Sequence, residues 1–226
     1  MSYGFEFIND QSVVAVDSEF ARLSVISSGR FTWNQQSNLV AITMFSRTIT
    51  TVEAPLVFIK PDRVNMVAGL CQFRMIGSPG AWTGFSVRGY NFDTARPNGE
   101  YFAAAWQSAP VAQYGARLFD GAEKVIFDTG MPFANFTRAY EGWTYVTAGR
   151  DAQGLTMVYF SLPFDFNSNE FMLINNFSMK MSGAQYGQVD LYCWWDFPGN
   201  KLWAITIGAT NVNTMFLPAV FAKKQV

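Results

Sequence analysis

The chain has 226 residues and a net charge of −1; half its residues are hydrophobic, 17% are aromatic, 15% are charged and none is histidine. With no Lys/Arg run longer than Lys223-Lys224, this composition lacks the counterion-release drive toward nucleic acid. No apolar run approaches the ~18–20 residues of a spanning helix. Typical soluble domains carry about 25% charged residues, so the apolar surplus belongs either in a well-filled β core or in an interface between subunits.

The first residues include Glu6 and Asp10, and they show neither a basic start nor an apolar signal core, which predicts synthesis in the cytoplasm without a leader. Phe7-Ile8, the turn residues Asn9-Asp10 and a return through Val13 to Val16 read as a β-hairpin. This segment, residues 3–29, recurs at residues 114–142. Tyr3-Gly4 matches Tyr114-Gly115, Val14 matches Val125, and Asp17-Ser18 matches Asp128-Thr129. After a two-residue insertion, Phe20-Ala21 falls on Phe133-Ala134 and Gly29 on Gly142. In the second copy Asp120-Gly121 supplies the turn before Lys124 to Phe127. A period of half the chain predicts duplication of a whole unit. The units are expected at 1–110 and 111–226, with the boundary at Ser108 to Gln113, where Pro110 interrupts the pattern.

Between the two hairpins, Phe85 and Val87 alternate with Ser86 and Arg88. Gly69 and the glycines of 77–84 read as turn glycines, because no strand–helix phosphate motif surrounds them. The best helical candidate, Tyr101 to Ser108, is equally compatible with a strand. In the second half Phe177, Met179 and Met181 alternate with Ser178 and Lys180. Val189, Leu191, Cys193 and Trp195 share one face of a run whose other face carries Asp190, Tyr192, Trp194 and Asp196. Trp203, Ile205 and Ile207 repeat the period of two, which places alternate side chains on opposite sheet faces. Gly- and Pro-bearing turns, such as Arg96-Pro97-Asn98-Gly99 and Phe197-Pro198-Gly199-Asn200, punctuate these runs. The expected fold is all-β, two related antiparallel β-sandwich units from an internal duplication.

The chemistry available is narrow. Without histidine there is no Ser-His-Asp or Cys-His site, and the commonest metal ligand is missing. Cys71 and Cys193 lie far apart with no metal or redox spacing, and read as buried free thiols, with a disulfide between them as the alternative. No cofactor motif is present, so no catalytic, cofactor-binding or metal-binding residue is assigned. Glycoside hydrolysis needs only two carboxylates, for which Asp190 with Asp196, or Asp165 with Glu170, are the pairs to test. The tryptophans are either core or stacking platforms. Trp82 in its Gly-rich loop, Trp143 after Gly142, and Tyr192 with Trp194 on the outward face of their strand are the candidate recognition residues. The ten methionines suit irregular cores or subunit contacts.

The two hairpin segments carry a resemblance. Tyr3-Gly4 through Asp17-Ser18 to Ala21-Arg22-Leu23, and Tyr114 to Asp120 followed by Val125 to Thr129, resemble motifs of small tail-tip and tail-fibre-region proteins of long-tailed bacteriophages. The resemblance covers about 50 residues, and the first turn departs from it by lacking a glycine. It implies a non-enzymatic virion protein of the tail, assembled in the host cytoplasm, with other tail proteins as partners. By the same analogy the chain is expected to form a homo-oligomer, a trimer first, and to contact a host surface glycan or protein. The motif specifies hairpins, so it brings no functional residue with it. The rival readings are a carbohydrate-binding receptor-recognition protein and, behind it, a glycan-degrading enzyme.

Overall fold

A computed structural model describes residues 6–8, 14–17, 21–35, 39–91, 93–166, 169–178, 180–181, 189–208 and 214–225. Strands dominate them, and the one helical element among them is a 3-10 turn at Asn175–Ser178. The first half holds β1 (Glu6–Ile8), β2 (Val14–Asp17), β3 (Leu23–Phe31), β4 (Val40–Ile49), β5 (Leu56–Pro61), β6 (Val67–Ser78), β7 (Ala81–Gly89) and β8 (Gly99–Trp106). The second half begins with β9 (Arg117–Phe119), β10 (Val125–Asp128), β11 (Phe133–Tyr140), β12 (Thr144–Arg150) and β13 (Thr156–Pro163). It continues with β14 (Phe171–Leu173), β15 (Lys180–Met181), β16 (Val189–Asp196), β17 (Lys201–Ile207) and β18 (Ala219–Gln225).

Both expected hairpins form. β1 pairs antiparallel with β2, Phe7 opposite Val16, and β9 pairs antiparallel with β10, Val125 opposite Phe119. The Asn9-Asp10 turn lies outside the described residues. In the second hairpin the Asp120 carboxylate accepts the Ala122 and Lys124 N–H groups at 2.9 Å each, an Asx-type closure.

The remaining strands form two layers. β11-β18-β14-β5-β8-β3 close into a ring, while β12-β13-β17-β16-β6-β7-β4 form an open sheet with β15 added on β16. Val57, Ile59, Tyr101 and Phe221 of the ring pack with Leu70, Phe85, Phe160 and Leu191 of the open sheet in one core. Alternate residues of the same ring strands, Phe58, Phe102, Ala104 and Ala222, form a second cluster with Leu23 and Val25. The open sheet lies outside the ring, so this second cluster fills the ring's lumen. There Phe58 stacks on Phe102 at 4.7 Å.

Burial on both faces explains the ambiguity of Tyr101 to Ser108. The segment enters β8, a strand hydrogen-bonded to β3 on one side and β5 on the other. A strand apolar on both faces shows no polar alternation, and its sequence reads like that of a buried helix.

Both layers draw on both halves of the chain. Met172 of β14 lies opposite Ile59 of β5, Phe133 of β11 opposite Ser24 of β3, and Trp194 of β16 opposite Gly69 of β6. The segments 1–110 and 111–226 thus share two sheets instead of each holding its own. The ring nevertheless has a regular order. The first half contributes β3-β8-β5 and the second β11-β18-β14, and in each trio the leading strand follows the hairpin and the middle one is the half's last strand.

Gly69, expected in a turn, lies inside β6. Of the glycines at 77–84, Gly80 sits in the β6–β7 turn with φ of 83° and Gly77 at an irregularity near the end of β6 with φ of 114°, a region glycine tolerates. Gly84, also expected in a turn, lies inside β7.

Candidate functional site

The outward face of the open sheet carries an aromatic cluster, built strand by strand. In β16 the period of two turns Leu191, Cys193 and Trp195 into the core, leaving Tyr192, Trp194 and Asp196 half-buried on the opposite face. Antiparallel register sets Trp194 opposite Trp203, and Tyr192 opposite Ile205 of β17. Ile205 in turn lies opposite Tyr159 of β13. Tyr90, just past β7, completes the group. Its ring stands edge-on to Tyr192 at 5.3 Å and to Trp194 at 4.9 Å. Tyr159 stands edge-on to Trp194 at 6.2 Å and to Trp203 at 6.5 Å. Edge-to-face pairs at these distances add about 0.5–1.5 kcal/mol each beyond area burial, so the rings order one another.

Beneath them lies Gly69. A Cβ there would stand 2.8 Å from Trp194 Cδ1 and Nε1 and 2.9 Å from Tyr90 Cβ, so only glycine lets the indole lie across β6. The rim of the cluster is polar. Trp203 Nε1 donates to Asp196 Oδ2 at 3.2 Å, and Lys201 Nζ stands 5.5 Å from the Trp203 ring centre. Burial raises the phenol pKa values of Tyr90, Tyr159 and Tyr192, and at Tyr192 the neighbouring Cys71 and Asp190 add to the shift. At neutral pH the three hydroxyls are therefore uncharged hydrogen-bonding groups. An ordered aromatic surface with neutral polar tips is suited to recognition by stacking and hydrogen bonding.

Of the four residues singled out in the sequence, the structure brings two together. Tyr192 and Trp194 share the cluster. Trp82 is half-buried against the main core, its Nε1 donating to the Thr51 carbonyl at 3.1 Å. Trp143 is a correction, because it is only 8% exposed. Its ring packs edge-on to Phe177, and its Nε1 donates to the Leu217 carbonyl at 2.6 Å. With that donor satisfied by backbone, nothing opposes burying the indole. Tyr90 and Tyr159 were missed as site residues, and Trp203 was weighed with the other tryptophans as core or stacking platform without being singled out. The alternation around Trp203 signalled its strand face, but Tyr159 sits in a run without polar alternation and Tyr90 lies past a strand end.

The Asp190–Asp196 pair is not arranged for glycoside hydrolysis. Asp190 and Asp196 lie six residues apart on one strand, about 20 Å by strand rise, against the ~5–9.5 Å the reaction uses. Asp196 also accepts the Gly199 N–H at 2.9 Å and so closes the β16–β17 turn. Glu170 is ion-paired with Arg138, whose guanidinium lies against Tyr140, Phe164 and Phe221. Both cysteines are free and buried. Burial pushes the Cys71 thiol up to about 12 (Arg88 opposing, Asp190 reinforcing) and Cys193 well above its usual value. Neither is a thiolate at neutral pH, so neither is an activated nucleophile.

No protein-family model, curated protein or solved structure gives a significant match to this chain.

Proposed function

We propose that this chain is a non-catalytic virion protein of the tail tip or tail-fibre region of a long-tailed bacteriophage, acting through surface contacts. The observation that carries the proposal is the aromatic cluster of Tyr90, Tyr159, Tyr192, Trp194 and Trp203, an ordered, half-buried surface on the sheet face opposite the core. The hairpins in which the phage-tail resemblance resides support the tail assignment, since both are formed. Exposed Trp106, Tyr114 and Phe216 add apolar surface of the kind that neighbouring subunits cover. The matched trios of the ring support descent of the two halves from one duplicated unit. A homotrimer embedded among other tail proteins is the assembly this reading expects. Light scattering of the purified protein and antibody labelling of virions test it. A trimer and labelled tails are expected; a monomer together with unlabelled tails rejects the reading.

A second reading, recognition of a host glycan, is favoured by the same five rings, because sugars stack on aromatic faces. Glycan-array binding that disappears in Trp194→Ala supports it. Array binding unchanged in that variant removes the cluster from the role.

A further inference from the structure

The ring of strands has a charged mouth. Phe58, Phe102 and Ala222 face the lumen, so by strand alternation Lys60, Glu100 and Lys224 face it too, near one end of the ring. Register adds Ser28, opposite Phe102, and Arg30, opposite Glu100. Ser28, Arg30, Glu100 and Lys224 line a cavity of about 400 Å³ together with Lys223, Phe102, Phe171 and Asn169, a size that holds a single sugar or a short polyol; Lys60 stands beside it, against Phe171.

The charges there are unbalanced. Arg30 is ion-paired with Asp62. Lys60 Nζ reaches Glu100 at 2.6 Å and donates to Asn169 Oδ1 at 2.7 Å. Among the described residues Lys224 Nζ donates to Ser28 Oγ, at 3.3 Å. Neither Lys223 nor Lys224 has a carboxylate within ion-pair distance among the described residues. Of the residues lining the cavity three are cations, Arg30, Lys223 and Lys224, and one is a carboxylate, Glu100; adding the ion-pair partners Asp62 and Lys60 makes four cations to two carboxylates, in a chain whose net charge is −1. The field is felt within the mouth. The hydrogen bond from Lys60, against a burial cost, and the charges of Lys60, Arg30 and Lys224 hold the Glu100 carboxyl below its usual pKa. The aromatic wall is Phe171, edge-on to Phe102 at 5.1 Å, with Lys60 Nζ 4.9 Å from its ring centre.

We propose that this mouth binds an anionic group, a carboxylate or a phosphate, between Lys224 and Arg30. Ser28 and Asn169 supply neutral hydrogen bonds, and Phe171 lies against the ligand's apolar body. Hydrogen bonds in which the donor or acceptor is ionised are shorter and stronger than neutral ones, so two converging cations favour an anionic ligand over a neutral one. The carboxylate could come from an acidic sugar and the phosphate from a polyol phosphate; the chemistry recognised is the same. This site is separate from the outer aromatic cluster and stands whether or not that cluster meets a glycan.

Calorimetric titration of the whole chain with glucuronate and with glycerol 3-phosphate, using glucose and glycerol as neutral controls, tests the proposal. One or both anions are expected to bind at a single site that weakens as salt rises, and the anion that binds identifies the source. Lys224→Gln is expected to weaken binding about tenfold, and Glu100→Gln to tighten it by removing the competing carboxylate. Lys224 is exposed, so its substitution leaves the fold intact, and circular dichroism checks both variants. The proposal is overturned if neither anion binds, if the neutral controls bind equally well, or if Lys224→Gln leaves the affinity unchanged.

Discussion

Gly69 and Trp194 form one unit, because the indole covers the position where any other residue would carry a side chain. A Cβ 2.8 Å from the indole is closer than carbon atoms pack, so Gly69→Val must displace the ring and with it Tyr90 and Tyr159. Such overpacking costs about 1–3 kcal/mol. The measurement is a drop in unfolding free energy together with a changed near-ultraviolet circular dichroism spectrum; an unchanged spectrum would separate Gly69 from the cluster. Asp128 is a second residue whose role is set by its surroundings. Its buried carboxylate accepts the N–H groups of Val111, Ala112 and Gly130 and the Nε of Arg117. Burial alone would raise its pKa, but these donors outweigh it and hold the value at about 2. An unfolded aspartate titrates near ~3.9, so the folded value is depressed. The stabilisation is therefore complete above the unfolded pKa and lost as pH falls through about 2. Asp128→Asn should lower the melting temperature at neutral pH, with the gap to the parent protein closing toward about pH 2. The pairing of Asp17-Ser18 with Asp128-Thr129 marked this position in the sequence, whereas its four donors, from three separate stretches of chain, could not be read there.

At the scale of elements, legibility followed exposure. β16 buries one face, so its two-residue period was plain, and the inward and outward sets at Leu191 to Asp196 match the structure residue for residue. β17 turns Leu202 and Ala204 into the core and also buries Ile205 on its other face, so its period of Trp203, Ile205 and Ile207 marks the outer face. β5 and β8 bury both faces, and their apolar runs carried no such period. β12, an edge strand of the open sheet, is exposed along its whole length, so it too lacks a buried face to reveal it. The layers meet at aromatic contacts that no local pattern could announce. Phe85 of β7 packs against Phe31, Phe45, Phe73 and Tyr101, which come from β3, β4, β6 and β8. Phe85→Ala should cost about 3–5 kcal/mol, since a cavity among four rings cannot collapse readily. Denaturant titration reads this as a lower midpoint with unchanged slope. A loss below about 1 kcal/mol would mean that the layers are not joined there.

For the whole molecule the decisive feature is that both sheets cross the midpoint of the chain. Residues 1–110 expressed alone would expose the edges of β5 and β6 that β14 and β16 cover, along with the apolar faces beside them. Each half alone should therefore show no cooperative thermal transition, while the two halves produced together should copurify and melt as one. Independent cooperative melting of either half would restore self-sufficient units. The sequence by itself determined that the chain is all-β, where its two hairpins lie, which way β16 faces, and that nucleophile–histidine chemistry is absent. These properties depend on composition and on contacts between neighbours in the chain. Only the tertiary structure decided that the halves interleave, that Trp143 is buried, that Tyr90, Tyr159 and Trp203 join Trp194, and that Lys60, Glu100 and Lys224 gather at one mouth. Each of these depends on strand register between segments tens to more than a hundred residues apart, and no local periodicity encodes that pairing.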